Sequence, residues 1–470
     1  MIKFGTSGWR AIIAEEFTFA NVALVTQAIC NVLHRVKTGG EVIVGNDTRF
    51  MAEKFARVCA LQLADNGYQA LLCRRDMATP AIAYAIRSRG MRGGINFTAS
   101  HNPPEYCGMK FSTDDGAPAL PEVTRAIETE IGRLLELGGP SEDVTATARQ
   151  GGKVEDFDPT EEYLKDLASK VDLNVIAKSG LKIIYDPLWG TGRGLLDRIL
   201  REAGCDVKVL HDWRDPYFGG HSPEPSEENL AELRALVSKE GALGLSTDGD
   251  SDRFGILDRD GSYIVPNLVI ALLVDYLSET RKWDGGVARS VASSHLIDRV
   301  ARSHGLSVHE TPVGFKFIGE LINQNKLIIG GEESAGLSIH GHYPEKDGII
   351  ACLLVAEMVA RRGASIQSML ENIYQRVGRV YNRRIGVHLT PEIKANIQAR
   401  LNAETPDHIN GRKVASVNRV DGVKYIFEDG SWLLVRLSGT EPLARCYAEA
   451  DTEQDLEVLL ESGRKFILGQ

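Results

Sequence analysis

Short apolar strands alternate with amphipathic helices along most of this chain, and the pattern restarts twice. In the first round, residues 41–45, 69–73 and 93–97 read as strands, with helical periodicity over 52–66 and 81–89. In the second, strands at 181–185, 206–210 and 242–246 enclose helices at 195–203 and 227–239. The third has strands at 285–290, 307–311 and 326–329, and a helix at 294–304. Such alternation implies largely parallel sheets covered by helices, with ligands at the carboxyl ends of the strands. Each round ends in a polar stretch crowded with reactive side chains. The last hundred residues differ. A hairpin around Asp421-Gly422, strands at 432–437 and 445–450 and an amphipathic helix at 453–468 predict a small α+β domain. The expected class is α/β, with three similar mixed α/β domains and a smaller C-terminal one. The expected spans are 1–148, 149–257, 258–370 and 371–470, the first boundary falling in the Gly-, Ser-, Thr- and acid-rich stretch 138–153.

A chain of 470 residues exceeds one ordinary core, as this division requires. A net charge of −10 argues against general nucleic-acid binding but leaves room for local basic clusters that hold an anion. The seven cysteines are scattered without a Cys-x-x-Cys pair, so neither a zinc knuckle nor a disulfide framework is expected, and a reducing cytoplasm suits the chain. Residues 1–6 lack an apolar h-region, so no signal peptide is expected. The longest apolar run, 263–277, is interrupted by Pro266, Asn267 and Asp275 and reads as a buried helix rather than a membrane span.

Residues 96–103, Asn-Phe-Thr-Ala-Ser-His-Asn-Pro, place the Ser100 hydroxyl in a polar loop beside Thr98, His101 and Asn102. Pro103-Pro104 forbids a helix there. A hydroxyl on a rigid loop with donors around it suits covalent catalysis, although the same residues also make ordinary turns. Asp248, Asp250 and Asp252 alternate directly after a strand. Facing one point, they repel by about 4 kcal/mol per close pair at an effective dielectric near 20. A divalent cation with a preference for oxygen, such as Mg²⁺, removes that cost; the alternative is a solvated acidic turn. The calcium EF-hand fails, because its required Gly and Glu positions hold Arg253 and Arg259.

Three further stretches carry polar groups. Arg436-Leu-Ser438-Gly439-Thr440, with Arg445, offers hydroxyls, backbone N–H groups and bidentate donors for a phosphate; a hairpin turn with a surface arginine is the alternative. Gly331-Glu332-Glu333-Ser334 could accept hydrogen bonds from sugar hydroxyls, or be a Gly-rich turn with solvated acids. Downstream, His340, His342, Lys346 and Asp347 add titratable groups. Arg10 and Asp47-Thr48-Arg49 place arginines after glycine or turn residues. Gly190-Thr-Gly-Arg-Gly194 lacks the dinucleotide spacing and is discounted.

Taken in order, these stretches resemble the α-D-phosphohexomutase superfamily, the phosphoglucomutase and phosphomannomutase enzymes. The resemblance runs end to end: Gly-Thr-Ser-Gly-Trp-Arg10, Thr98-Ala-Ser-His-Asn-Pro, Asp248-Gly-Asp-Ser-Asp-Arg253, Thr311-Pro-Val-Gly314-Phe-Lys316, Gly331-Glu-Glu-Ser-Ala-Gly and Arg436-x-Ser-Gly-Thr-Glu-Pro. It implies four domains around one central cleft. It also implies a phosphorylated Ser100, with Mg²⁺ held by that residue and Asp248, Asp250 and Asp252. Glu332 and Ser334 would hold the sugar, and Arg436, Ser438, Gly439, Thr440 and Arg445 its non-reacting phosphate. Lys110 is the candidate base, with Arg10, His101, Arg253 and Lys316 near the transferring group and Thr311 and Gly314 lining the substrate site. The implied reaction moves phosphate between C1 and C6 of a hexose, glucose preferred, through a hexose 1,6-bisphosphate. Its partner is a small sugar phosphate, with neither nucleic acid nor membrane involved, and the protein would be a monomer or dimer. Open alternatives are a phosphomannomutase or phosphoglucosamine mutase, a phosphatase or bisphosphate synthase on the same scaffold, and a non-catalytic binder. Some family members carry histidine where this chain has Gly336. His340, His342 or Lys346 would then be the second acid/base.

Overall fold

The computed structural model describes residues 2–5, 8–37, 39–139, 153–403, 406–437 and 443–469. Among them the chain forms four sheets with helices packed on their faces. The first contains β1 (Trp9–Ile12), β2 (Glu41–Asn46), β3 (Gln69–Cys73), β4 (Gly94–Phe97), β5 (Tyr106–Ser112) and β6 (Val154–Phe157), in the order β1-β5-β4-β2-β3-β6. The second contains β7 (Lys182–Asp186), β8 (Asp206–Val209), β9 (Leu243–Thr247) and β10 (Phe254–Leu257), ordered β10-β9-β7-β8. The third contains β11 (Gly286–Ser290), β12 (Val308–Thr311), β13 (Leu327–Glu332) and β14 (Gly336–Ile339), ordered β12-β11-β13-β14.

One four-strand core recurs in all three. Two parallel strands sit beside a third parallel strand, which hands over to a short antiparallel return strand: β3-β2-β4-β5, β8-β7-β9-β10 and β12-β11-β13-β14. The sheets are therefore mixed. The parallel majority is as expected, while the antiparallel strands β5, β10 and β14 have no counterpart among the strands expected from the sequence. They are interrupted by Gly108 or Gly255, or opened by Gly336, which makes them read as loop continuations. The return strand turns each polar stretch into a β-hairpin loop (residues 98–105, 248–253 and 333–335) fixed at both ends by ladder hydrogen bonds.

The fourth sheet is antiparallel, ordered β15-β20-β19-β18-β17-β16, from β15 (Tyr381–His388), β16 (His408–Ile409), β17 (Arg412–Asn418), β18 (Val423–Phe427), β19 (Trp432–Leu437) and β20 (Leu443–Ala450). Helices Pro391–Asn402 and Glu453–Leu468 accompany it. Two elements cross the expected domain limits. β6 pairs with β3, so the first sheet takes in residues beyond 148, and helix Ile366–Val377 runs through residue 370. The 148/149 boundary itself lies outside the described residues.

One continuous apolar cluster joins the first three domains, including Ile43, Met77 and Ile82, then Tyr163, Ile183 and Leu196, then Ile270, Ile350 and Met369. The apolar run of 263–277 lies mostly in helix Pro266–Thr280, which is part of this core. Among the described residues no helix is long and apolar enough to cross a membrane.

Candidate active site

The three hairpin loops meet where the first three domains abut. Each contains a non-glycine residue in the left-handed region: Ser100 (φ 52°), Ser251 (φ 62°) and Ala335 (φ 69°). Such residues are uncommon, and their strain is sustained by the surrounding packing. In the first loop the Thr98 hydroxyl accepts from the Ser100 N–H at 2.8 Å. That turns the Ser100 hydroxyl toward the second domain, where it donates to Asp248 Oδ2 at 2.7 Å. Ser100 is buried, and its Oγ is 3.4 Å from His101 Nδ1.

Asp248, Asp250 and Asp252 are fully buried, and their carboxylates offer three oxygens within 4.8 Å of one another. Lys110, from β5, donates to Asp250 Oδ2 at 2.6 Å and Asp252 Oδ2 at 2.8 Å. Lys346, from the third domain, donates to Asp252 Oδ2 at 2.9 Å. The electrostatics follow this seating. Burial and the repulsion of Asp250 and Asp252 push Asp248 well above the ordinary carboxylate range. Burial would also raise Asp252, but Lys110, Lys346 and Arg253 outweigh it and hold that carboxyl well below the range. Lys110 is pulled above an ordinary lysine, since Asp250 and Asp252 outweigh its burial. Burial, with Arg253 and Arg10 nearby, pushes His101 well below an ordinary imidazole.

The triad fits a divalent cation. Asp250 Oδ1 and Asp252 Oδ1 are buried without a hydrogen-bond partner, and a hard oxygen donor set of this kind suits Mg²⁺. The ligands are also braced from outside. Thr79 donates its hydroxyl to Asp250 Oδ2 at 2.5 Å and its N–H to Asp250 O at 3.0 Å, while Asn96 donates to Thr79 Oγ1 at 2.8 Å. Thr79 opens helix Thr79–Arg89, and nothing in its sequence context marks it.

Other predicted residues line the surrounding cleft. The Gly314 N–H donates to Glu332 Oε1 at 2.7 Å, and burial beside Glu333 pushes Glu332 up to about 7. Ser290 donates to Glu333 at 2.6 Å. Thr311 is buried at the end of β12, with its hydroxyl on the Pro312 carbonyl at 3.0 Å. Lys316 is buried, with Glu122 and Arg125 of the first domain as the charges acting on it, and burial lowers it. The Arg10 guanidinium donates to Asn102 Oδ1 at 2.6 Å. Arg253 and Ser334 face a cavity of about 620 Å³ between the second, third and fourth domains, which Arg384 and Tyr447 also line. Arg436 and Arg445 are cross-strand partners on β19 and β20, and Asp421 accepts from both Arg436 Nε at 2.7 Å and the Val313 N–H at 3.0 Å. Ser438, Gly439 and Thr440 lie outside the described residues.

The three candidates downstream of the sugar loop separate cleanly. His340 stacks on Trp283, with ring centroids 5.5 Å apart, and buried His342 is tied to Asp347 at 3.0 Å. Only Lys346 of the three reaches the triad. Gly336 makes this possible, because a Cβ there would lie 2.2 Å from Lys346 Cδ. A histidine at 336 and Lys346 in this pose exclude each other.

A nucleophilic hydroxyl, a cation-ready triad and two ammonium groups on converging α/β loops make a site for metal-assisted group transfer. Family models of the phosphoglucomutase/phosphomannomutase alpha/beta/alpha domains I, II and III match residues 1–137, 161–261 and 265–377, and that of the C-terminal domain matches 393–462. A phosphoglucomutase/phosphomannomutase of Thermococcus kodakarensis is 31% identical, covering 99% of this chain and 98% of its own. A probable phosphoglucosamine mutase of Methanothermobacter thermautotrophicus is 32% identical, covering 99% and 97%. The crystal structure of a Thermus thermophilus protein provisionally assigned as a phosphomannomutase superposes with a TM-score of 0.85 at 33% identity, covering 100% of this chain and 99% of that one. The chain belongs to the phosphoglucomutase/phosphomannomutase family and is a phosphohexomutase, an isomerase acting on sugar phosphates.

Proposed function

We propose that this enzyme interconverts glucose 1-phosphate and glucose 6-phosphate through a phosphorylated Ser100 and glucose 1,6-bisphosphate. The observation that carries this reading is the Ser100 hydroxyl, buried 2.7 Å from Asp248 within the acidic triad. Asp248, Asp250, Asp252 and the Ser100 phosphate would hold Mg²⁺. When bound, that ion supplies charge neutralisation for the phosphoryl oxygens. The residues of the chain do the rest. The C6 hydroxyl of glucose 1-phosphate takes the phosphoryl group from Ser100 Oγ: the new O–P bond forms, the Ser–O–P bond breaks, and the hydroxyl proton passes to a base. The bisphosphate reorients in the cleft and returns its C1 phosphate to Ser100.

Roles follow from seating. Lys110 is the proposed base, seated between Asp250 at 2.6 Å and Asp252 at 2.8 Å. His101, with Nδ1 3.4 Å from Ser100 Oγ, sits beside the transferring group. Lys346 is the second acid/base. Arg10, Arg253 and Lys316 assist at the transferring group, and Thr311 and Gly314 shape the sugar loop's wall. Glu332 and Ser334 accept from the sugar, while Arg436 and Arg445, with Ser438, Gly439 and Thr440, take the remote phosphate. The protein acts in the cytoplasm as a monomer or dimer.

The test is Mg²⁺-dependent turnover of glucose 1-phosphate with a trace of glucose 1,6-bisphosphate, compared with mannose and glucosamine phosphates. Glucose 1-phosphate should turn over fastest, with little inorganic phosphate released. Faster turnover of another sugar would move the preference within the family, and steady phosphate release would favour a phosphatase.

A further inference from the structure

The Asp47-Thr48-Arg49 turn has no part in the reading above, yet it contains a fully buried guanidinium, from Arg49. A guanidinium has five N–H donors in a fixed fork. All five are used. Nε donates to Asp47 Oδ2 at 3.1 Å. Nη1 donates to the carbonyls of Pro103 at 2.7 Å and Tyr106 at 2.9 Å. Nη2 donates to those of Ser100 at 2.7 Å and Asn102 at 2.6 Å. Four main-chain carbonyls, three of the loop and one from the first residue of β5, thus converge on one cation, and one of them belongs to the nucleophile itself. The Phe218 ring of the second domain covers the guanidinium 5.0 Å from its centroid. On the other side, a Cβ on Gly249 of the acidic loop would lie 2.9 Å from the Ser100 carbonyl, so the two loops are packed against each other there.

We infer that Arg49 is a positioning residue for phosphoryl transfer: it holds the Ser100 loop in its left-handed form and registers it against the acidic loop of the second domain. The inference rests on Ser100 being the phosphoryl carrier. Without Arg49, four carbonyls lose a donor, and the Ser100 φ of 52° loses what sustains it. Lysine keeps the charge but has three donors, so at least two of the five acceptors, at least one of them a carbonyl, are left without one. A misplacement near 1 Å costs about a hundred-fold in rate. Arg49 contacts the Ser100 loop and none of the proposed sugar-binding residues, so KM should barely move.

The experiment compares wild type, Arg49→Lys and Phe218→Leu for kcat, KM, phosphorylation of Ser100 by glucose 1,6-bisphosphate, and hydrolysis of the phosphoenzyme per transfer. Folded Arg49→Lys should lose about a hundred-fold in kcat at near-constant KM. Its phosphoenzyme should hydrolyse more often per transfer, because a loosened loop admits water. Phe218→Leu should show the same pattern at a few-fold. Folded Arg49→Lys with wild-type kcat and partition overturns the inference. If Arg49→Lys does not fold, a wild-type kcat in Phe218→Leu overturns it. A wild-type enzyme that takes no phosphate onto Ser100 would instead overturn the functional reading beneath it.

Discussion

The first three domains and the fourth are held in place by different physics. The first domain has its own core, around Phe17, Phe55 and Phe97, but a second apolar cluster joins it to the next two, and their seams pass through the reactive groups themselves: Ser100 on Asp248, Lys110 on Asp250 and Asp252, and Lys346 on Asp252. The fourth has its own core, formed by residues such as Val423, Leu433 and Leu459. It meets the third through a small apolar patch of Val291, Ala292, Trp432, Leu434 and Tyr447, ringed by polar contacts. There the buried Lys424 ammonium donates to the Val291 carbonyl at 2.8 Å and to Glu310 at 3.1 Å, and lies 4.2 Å from the Trp432 ring centroid. Glu449 accepts from Trp432 Nε1 and from the His295 N–H, each at 3.0 Å. Bond-making groups thus sit in a fused three-domain body, while the arginines proposed for the remote phosphate ride on a separately folded one. Substitutions in the fused body should act on kcat, and those in the fourth domain on KM.

The largest break in that comparison comes from Ser100→Ala, which should cost at least about 10⁴-fold in kcat while leaving the fold intact, as read by a coupled mutase assay. Lys346→Ala comes next, with a kcat loss of about 10²–10⁴-fold, whereas His340→Ala should stay near wild type; equal losses would remove Lys346 from its role. In the fourth domain, Arg436→Ala should raise KM by about 10- to 100-fold with a smaller change in kcat. A kcat-dominated loss there would mean that the fourth domain takes part in the chemistry.

Smaller effects are read through pH. Glu332, pushed up to about 7, accepts more strongly from the sugar as a carboxylate than as the neutral acid. KM should therefore rise as pH falls through about 7 and be flat in Glu332→Gln. Lys424 is lowered to about 8 by burial, with Arg289 adding to the effect, while the unfolded chain keeps that proton to its ordinary 10.5. Between those values the unfolded state binds more protons, so this group makes stability rise with pH. Scanning calorimetry should show the fourth-domain transition climb by on the order of 10 °C across that window. Lys424→Met should erase the climb and leave the three-domain transition unchanged.

Much of this was legible in the sequence because it is local. A polar stretch following an apolar strand marks a loop at a sheet's carboxyl edge; Ser100 and Asp248 stand in such loops, and Glu332 ends the strand that leads into one. Apolar alternation likewise marked the hairpin, β19, β20 and helix Glu453–Leu468 of the fourth domain, but not β15, β16 or helix Pro391–Asn402. The return strands were missed because each bears a glycine and follows a polar loop, which makes it read as more loop. The remaining gaps are non-local. Thr79 precedes Asp250 by a whole domain, and Arg49 resembles any turn arginine until its five donors are traced. His340, His342 and Lys346 lie within seven residues, so only the course of β14 and of residues 340–347 decides which reaches the triad.

The most direct test is intact-mass analysis of wild type and Ser100→Ala after incubation with Mg²⁺ and glucose 1,6-bisphosphate, followed by a chase with glucose 1-phosphate. We predict one phosphoryl group on wild type, mapped to Ser100 and discharged to sugar by the chase, and none on the variant. Phosphorylation elsewhere, or efficient turnover by Ser100→Ala, would contradict the account.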